Sequence, residues 1–439
     1  MDEINVIIAG SGPAGLMAGI SAAREGASVL ILEQKDRAAG KLYATGNGRC
    51  NFANLVMEEG VYRGSDEFAM NATDTFDIND LIGFFNDLGL LTKHIGNYIY
   101  PYNEQASAVV LALLVECERL GVRIHTGEKV VDITQVHGKD IRIGSGTVDI
   151  RYSVVTDRAK YHAASVIIAP GGKASPSHGS DGNLNRIIRR LGHEIIPQEP
   201  ALVPLTFSDR SLSSLAGVRL KCRVSLGMEG YSGDGQSQTG EVIFNKDNIS
   251  GIPVMQLSRY AVCAMVRGAR PVLILDILPE YTCEESYEIV RLAFRTWDDR
   301  KRSAGDALSL ITNKTLADYI IQSLTEKEAF GREYAHAFGK ETGRILKAGM
   351  VSDEGIGKIT DILKSFKVCI SGNAGFSRAQ ATAGGVSTGQ INPDTMESLV
   401  CPGLYFAGEI IDVDGTCGGY NLHFAFASGR IAGLSCMNF

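Results

Sequence analysis

The 439-residue sequence has no Cys-x-x-Cys pair, no dense run of lysine and arginine, and only 12 prolines. Each absence excludes a class of protein. The nine cysteines (Cys50, Cys117, Cys222, Cys263, Cys283, Cys369, Cys401, Cys417 and Cys436) are odd in number and scattered. They fit free thiols in a reducing compartment and argue against a zinc ribbon or a paired redox disulfide. Lys plus Arg is 43 against 50 for Asp plus Glu, a formal charge of −7. The global electrostatic footprint of a nucleic-acid binder is therefore missing, and no nucleic-acid partner is expected. The start, Met1-Asp2-Glu3, lacks the basic region of a secretory signal, so the expected location is cytoplasmic. No Ser-His-Asp spacing, metal-ligand cluster or solenoid repeat stands out, and no bound metal is expected. Residues 4–23 carry no charge, yet Gly10, Gly12, Gly15, Gly19 and Pro13 interrupt them, so a strand and a phosphate loop explain the run better than a membrane span.

What is abundant is glycine, 50 residues in all, well above the roughly 7% of an average protein. Hydrophobic residues at 44% and charged residues at 21% otherwise describe a globular chain of two or three domains. The candidate ligand-facing glycines cluster at 10–48, 171–182 and 384–429.

The segment 4–9 reads as a buried parallel strand, 13–24 as a helix stopped by Gly26, and 28–32 as the next strand. Further along, 104–120 is helical, 122–126 extended, and 140–143 with 148–152 form a hairpin. A buried strand at 164–169 runs into Pro170-Gly171-Gly172. Character shifts near residue 197. Strands are expected at 202–207, 219–226 and 241–244, and helices at 284–297 and 308–324. From about 366 the glycine-rich α/β character returns, with a strand at 404–407 and a closing helix at 421–434. The expected fold is α/β: a Rossmann-like domain built from 1–196 and 366–439, interrupted by an inserted domain at 197–365. The insert is expected to hold antiparallel, barrel-like β structure plus helices.

Gly10-Ser11-Gly12-Pro13-Ala14-Gly15 is a GxGxxG motif between an expected strand and an expected helix. The first glycine allows the turn, the second lets backbone N–H groups reach a pyrophosphate, and the third permits close helix packing. Glu33 lies at the end of the second strand, placed to accept hydrogen bonds from an adenosine ribose, with Gln34 beside it. The loop Gly40-Lys41-Leu42-Tyr43-Ala44-Thr45-Gly46-Asn47-Gly48-Arg49-Cys50-Asn51 mixes glycine with polar and cationic groups suited to phosphates or a flavin edge. An ordinary surface loop reads as well from the residues alone. Near the C-terminus, Gly408, Glu409 and Asp412 sit at the carboxyl end of a strand, where open α/β sheets bind ligands. Gly418-Gly419 opens the closing helix, whose N-terminus would stabilise negative charge on a reduced flavin. No second GxGxxG occurs, so a nicotinamide cofactor has no separate domain to bind.

The motif Gly46-Asn47-Gly48-Arg49-Cys50-Asn51, followed in order by Pro170-Gly171-Gly172-Lys173, Gly179-Ser180-Asp181-Gly182, Pro200-Ala201-Leu202-Val203-Pro204-Leu205 and Gly418-Gly419-Tyr420-Asn421, resembles a bacterial flavoprotein family. These are FAD/NAD(P)-dependent oxidoreductases, among them a 3-dehydro-bile acid Δ4,6-reductase and a flavoenzyme described as an aminoacetone oxidase. Two positions depart from the family pattern. Pro170 stands where Thr is usual, and Asn97-Tyr98-Ile99-Tyr100-Pro101 replaces a Gly-Arg-Val-Phe-Pro segment, losing its Arg. Taken with the motifs, the resemblance implies FAD held by Gly10, Gly12, Pro13, Ala14, Gly15, Glu33, Gln34, Lys41, Gly46, Asn47, Arg49, Cys50, Asn51, Val130, Pro170, Gly171, Gly172, Gly408, Glu409, Asp412, Gly418, Gly419, Tyr420 and Asn421. NADH or NADPH would act as a transient reductant.

For the reaction, the expectation is reduction of an activated C=C in a small-molecule enone, with the resemblance implying a steroid- or bile-acid-like substrate and Tyr420, His423 and Arg49 as candidate catalytic groups. Two alternatives stay open: oxidation of a small amine such as an aminoketone, and a flavoprotein role in RNA modification or redox sensing. Oligomeric state is not legible.

Overall fold

The computed structural model describes residues 4–143, 146–228, 236–296, 302–326 and 346–437. The chain divides into two compact units, one formed by Met1–Ala201 with Phe376–Phe439 and the other by Leu202–Gly375. The sequence places these divisions near 197 and 365, and pairing explains the difference. Strand Glu199–Ala201 pairs with Ala381–Ala383 inside the first unit. Strand Phe366–Asn373 closes the barrel of the second.

The first unit is built on a five-stranded sheet in the order Leu404–Phe406, Ser165–Ile168, Val6–Ala9, Val29–Leu32, Arg123–His125. Every neighbouring pair is parallel. Val6–Ala9, Val29–Leu32 and Ser165–Ile168 are buried throughout, as expected of apolar strands covered on both faces. Helix Pro13–Arg24 returns from the first strand, with Pro at its start and Arg24 in its last turn. The closing helix, Tyr420–Ser435, packs on it through small residues, and a side chain at Gly429 would meet Ala14 O at 2.3 Å. The expected hairpin is the long antiparallel pair Val130–Ile143 and Gly146–Thr156; residues 144 and 145 lie outside the described residues.

The second unit is a closed antiparallel barrel in the order Leu205–Phe207, Asn248–Ser250, Ser237–Phe244, Arg219–Met228, Pro271–Asp276, Phe366–Asn373. Part of the turn expected between the strands at 219–226 and 241–244 falls outside the described residues, as does Trp297 at the end of an expected helix. The single helix expected over 308–324 is two, Ala304–Leu308 and Lys314–Glu326. Asn313 interrupts them: its side chain accepts from Thr315 N at 2.9 Å and starts the second helix as a cap.

Helix Ala106–Arg119 is tied to the first helix by an ion cluster. Glu116, with a nearly buried carboxylate, accepts from Arg24 at 2.7 Å and from Arg119 at 2.6 Å. The Arg119 and then the Arg24 hydrogen bonds hold its pKa at about 2, below the ordinary 4.5. A depressed folded-state pKa gives stability that is complete above about 4.5 and lost as pH falls toward 2. Glu116→Gln is therefore expected to cost about 2 kcal/mol at pH 7, by urea unfolding, and to have a much smaller effect near pH 2. An equal cost at both pH values would rule out the ionic account.

Candidate functional site

The first strand runs into Gly10, whose φ of +109° is open to glycine. A Cβ there would lie 2.3 Å from Ala169 O, so Gly10 is pressed against the end of the neighbouring strand and Pro170. A Cβ at Gly15 would lie 1.9 Å from Gly10 O. Gly12 differs: its φ is −70°, and nothing stands within 4 Å of the place where its Cβ would be. Packing within the protein therefore explains two of the three glycines and leaves the third facing open space. Gly12 is also the N-cap of helix Pro13–Arg24, and no side chain caps that helix. Its first-turn N–H groups are the anion-binding end of a helix dipole. This uncapped, unobstructed loop fits a pyrophosphate.

Glu33 faces the same loop. Its Oε2 accepts from Ser11 Oγ at 2.6 Å and Ser11 N at 3.1 Å, and its Oε1 accepts from Lys35 N at 2.9 Å. The carboxylate is thus held at the loop by three donors and keeps limited acceptor capacity for a sugar. Gln34 donates to Gly179 O at 2.5 Å, bringing the Gly179–Gly182 turn to the end of the second strand. Val130 begins the long hairpin and is buried.

A second junction forms around Glu409. Lys41 reaches it at 2.6 Å, and Thr382 N donates to its other oxygen at 2.7 Å. Thr382 Oγ1 in turn accepts from Lys173 N at 2.9 Å and Ala174 N at 3.0 Å, supporting the Pro170-Gly171-Gly172 loop. No sequence motif marks Thr382; only its position beside Gly384-Gly385 hints at it. Gly408 donates its N–H to Ser428 Oγ at 2.9 Å, and a side chain on it would strike Ala14. The segments around 10, 41, 171, 382 and 409, distant in sequence, thus meet in one place. Asp412 N donates to Val386 O at 2.9 Å.

The loop through 39–50 is held in an unusual path, with positive φ at Ala39, Gly46, Asn47, Gly48 and Cys50. Three of these are not glycine and cost of order 1 kcal/mol each. Asn51, at its end, has a buried Oδ1 with no partner, an acceptor left for a bound group. Cys50 is fully buried, and burial pushes its thiol up to about 12. It is a packing residue without thiolate character. Iodoacetamide at pH 8 is therefore expected to modify the exposed Cys283 and Cys369 of the native protein and to spare Cys50, as read by peptide mass spectrometry; early labelling of Cys50 would contradict this packing.

The three catalytic candidates each have partners within the protein. Arg49 pairs with Glu104 and lies over the Tyr100 ring at 4.8 Å, so its charge is already met. His423 is fully buried and its Nε2 bonds Phe76 O at 2.8 Å. Donation to a carbonyl puts the proton on Nε2, and burial lowers the pKa, leaving a neutral ring that ties the closing helix to its neighbour. Tyr420 donates to Val56 O at 2.8 Å, and burial pushes its phenol up to about 12. None of the three presents a free proton donor. Asn421 clips its own loop, accepting from Gly415 N at 2.8 Å and donating to Gly415 O at 2.9 Å.

The start of the closing helix is braced by a small sheet. Gly418 O accepts from Asn54 Nδ2 at 3.1 Å, and a Cβ on Gly419 would lie 2.6 Å from Ala53 N. Ala53–Asn54 pairs with strand Tyr98–Pro101, placing Asn54 opposite Tyr98. A Cβ at Gly418 would lie 3.1 Å from the Tyr98 ring. Residues 97–101 depart from the family pattern, and nothing in the sequence alone gives Tyr98 a role.

Among the described residues there is no cluster able to hold a metal ion, and no helix is long and apolar enough to cross a membrane.

Comparison with known proteins gives a consistent picture. A family model described as the HI0933-like protein Rossmann domain matches residues 4–435. The chain is 37% identical over 440 residues to a 3-dehydro-bile acid delta(4,6)-reductase of Clostridium scindens, covering 99% of this chain and 98% of that one. It is 25% identical to a ribosomal RNA dihydrouridine synthase of Haemophilus influenzae, over 98% of this chain and 97% of that one. The Escherichia coli ribosomal RNA dihydrouridine synthase is 27% identical, over 98% and 96% of the two chains.

Proposed function

The chain belongs to the HI0933-like Rossmann-domain family, and from that premise we propose that it is an FAD-dependent reductase of a carbon–carbon double bond conjugated to a carbonyl. The observation that carries the cofactor is the glycine loop, in which Gly10 and Gly15 are fixed by packing and Gly12 is left open. The substrate class draws on the relatives' names. A bile-acid enone and a uracil ring both contain C=C joined to C=O, and conversion of uridine to dihydrouridine adds two hydrogens across that bond. The chemistry common to both names is conjugate reduction.

When bound, FAD supplies a hydride from N5 to the β-carbon of such a substrate. The chain's residues do the rest. The uncapped N-terminus at Gly12 binds the pyrophosphate, with Pro13, Ala14 and Gly15 forming its first turn. Glu33 and Gln34 orient the adenosine end. Lys41, held by Glu409, and the 46–51 loop would hold the flavin with Pro170, Gly171 and Gly172. The helix start at Gly418, Gly419 and Tyr420 offers partial positive charge where negative charge develops on the ring. NADH or NADPH docks transiently as reductant.

Anaerobic mixing with NADH or NADPH should bleach the flavin absorbance, and a 3-oxo-Δ4 steroid should restore it. Flavin that stays oxidised under both reductants would overturn the nicotinamide assignment; bleached flavin that no enone reoxidises would overturn the substrate class. The second reading, reduction of uridine in ribosomal RNA, is favoured by two relatives and opposed by the net charge of −7. Deleting the gene and measuring dihydrouridine in ribosomal RNA separates them: loss of the modification selects RNA. Hydrogen peroxide release from an aminoketone would instead select the oxidase reading.

A further inference from the structure

Conjugate reduction needs a proton as well as a hydride, and the three catalytic candidates named from sequence are all engaged elsewhere. We infer that Tyr98 is the proton donor of the site. This inference rests on the reductase reading above.

Three observations carry it. First, the place: the Tyr98 ring abuts Gly418, at the start of the closing helix. The N-cap there, Gly419, makes no side-chain capping bond, so the first-turn N–H groups are open to a ligand. Second, the hydroxyl: Tyr98 is half-buried, its side chain makes no hydrogen bond to another described residue, and its hydroxyl is not among the buried polar atoms left without a partner, so it is open to solvent. A solvent-open phenol beside a helix start can exchange its water for a bond to a ligand. Third, the neighbours are committed. Tyr62 donates to Tyr420 O, Tyr420 donates to Val56 O, and Asn54 donates to Gly418 O. These bonds brace the helix start and commit its neighbouring side chains, while the Tyr98 hydroxyl stays uncommitted.

Strand pairing fixes the ring. Tyr98 sits opposite Asn54, whose backbone neighbours Phe52 and Leu55 both donate to the same strand segment, to Ile99 O and Asn97 O. The phenol is thus carried on a hydrogen-bonded sheet, which gives a donor the fixed geometry that proton transfer needs.

The step balances as follows. A hydride from the reduced flavin forms a C–H bond at the β-carbon, and the displaced π pair becomes an enolate. The enolate α-carbon takes the proton from the Tyr98 O–H, and the phenolate regains a proton from water. The substrate is reduced by two electrons and the flavin is oxidised by two.

The test is the Tyr98→Phe variant of the FAD-loaded enzyme, with Tyr100→Phe as the control from the same strand. The probes are 2-cyclohexenone and a 3-oxo-Δ4 steroid in D2O. With Tyr98→Phe, kcat is expected to fall at least a hundredfold while KM changes less than threefold. Flavin reduction by the nicotinamide should keep its rate. Binding of the saturated ketone, by calorimetry, should weaken several-fold, and deuterium at the α-carbon should lose its facial preference. A role limited to bracing the helix would leave that preference intact. Tyr100→Phe should match wild type throughout. A Tyr98→Phe enzyme with kcat within threefold of wild type and unchanged deuterium stereochemistry overturns the assignment and leaves the reductase reading standing. A wild-type enzyme that binds FAD but reduces neither enone overturns both.

Discussion

Gly15→Ala is expected to destabilise the protein itself, by about 3–5 kcal/mol, whereas Gly12→Asp is expected to leave the fold intact and abolish FAD binding. The two residues are three apart in one motif, and the contrast comes from what surrounds each. The new Cβ at position 15 would lie 1.9 Å from Gly10 O, a backbone atom held at the end of a central strand. Neither the strand nor the helix can yield without breaking their shared packing. At position 12 there is nothing within 4 Å, and φ is −70°, accessible to any residue. The aspartate adds a negative charge at an uncapped helix start, which favours the apoprotein slightly and repels a pyrophosphate. Thermal denaturation of the apoproteins should show a lower midpoint only for Gly15→Ala. Flavin titration should show at least a hundredfold weaker binding for Gly12→Asp. Wild-type stability for the first variant, or wild-type affinity for the second, would mean that the loop does not work in this way.

The same contrast shows what the sequence could and could not convey. Helix Pro13–Arg24 and the strands flanking it follow from local signals: an apolar run, proline at the first helical turn, and glycine beyond the end. The parallel sheet and the barrel follow the same logic. The unit boundary near 375 does not, because Phe366–Asn373 joins the barrel through partners far away in sequence. His423 and Arg49 stand out by residue type in glycine-rich motifs, yet their contacts are with Phe76 O and Glu104, which no local pattern announces. Tyr98 and Thr382 illustrate the reverse. Neither is in a glycine motif, and each matters because a strand pairing or a backbone turn brings it beside one. Composition points to the glycine-rich segments; only the fold distinguishes glycines that pack, such as Gly10 and Gly15, from one left open, such as Gly12.

Glu409→Ala is the change expected to have the largest effect on the site without touching the phosphate loop. Its carboxylate joins two segments, with Lys41 at 2.6 Å on one oxygen and Thr382 N at 2.7 Å on the other. Both side chains of the ion pair are well shielded, at 24% and 17% exposure, so removing one partner leaves the other poorly compensated. A loss of about 2 kcal/mol in stability is expected, less than for a fully buried pair. FAD affinity should fall further, by about thirtyfold or more, because Lys41 and the loop that follows it lose the anchor that orients them. Glu409→Gln separates the two bonds. Its amide oxygen can still accept from Thr382 N while the charge opposite Lys41 is gone, so its effect should be intermediate. Lys41→Met should lower affinity on its own, and the Lys41→Met, Glu409→Gln double variant should be no weaker than the worse single variant. Full additivity in that cycle would show that the two residues act independently. Coupling of 1 kcal/mol or more, in the range found for neighbouring charged groups, would show that Glu409 acts on the cofactor through the lysine it holds.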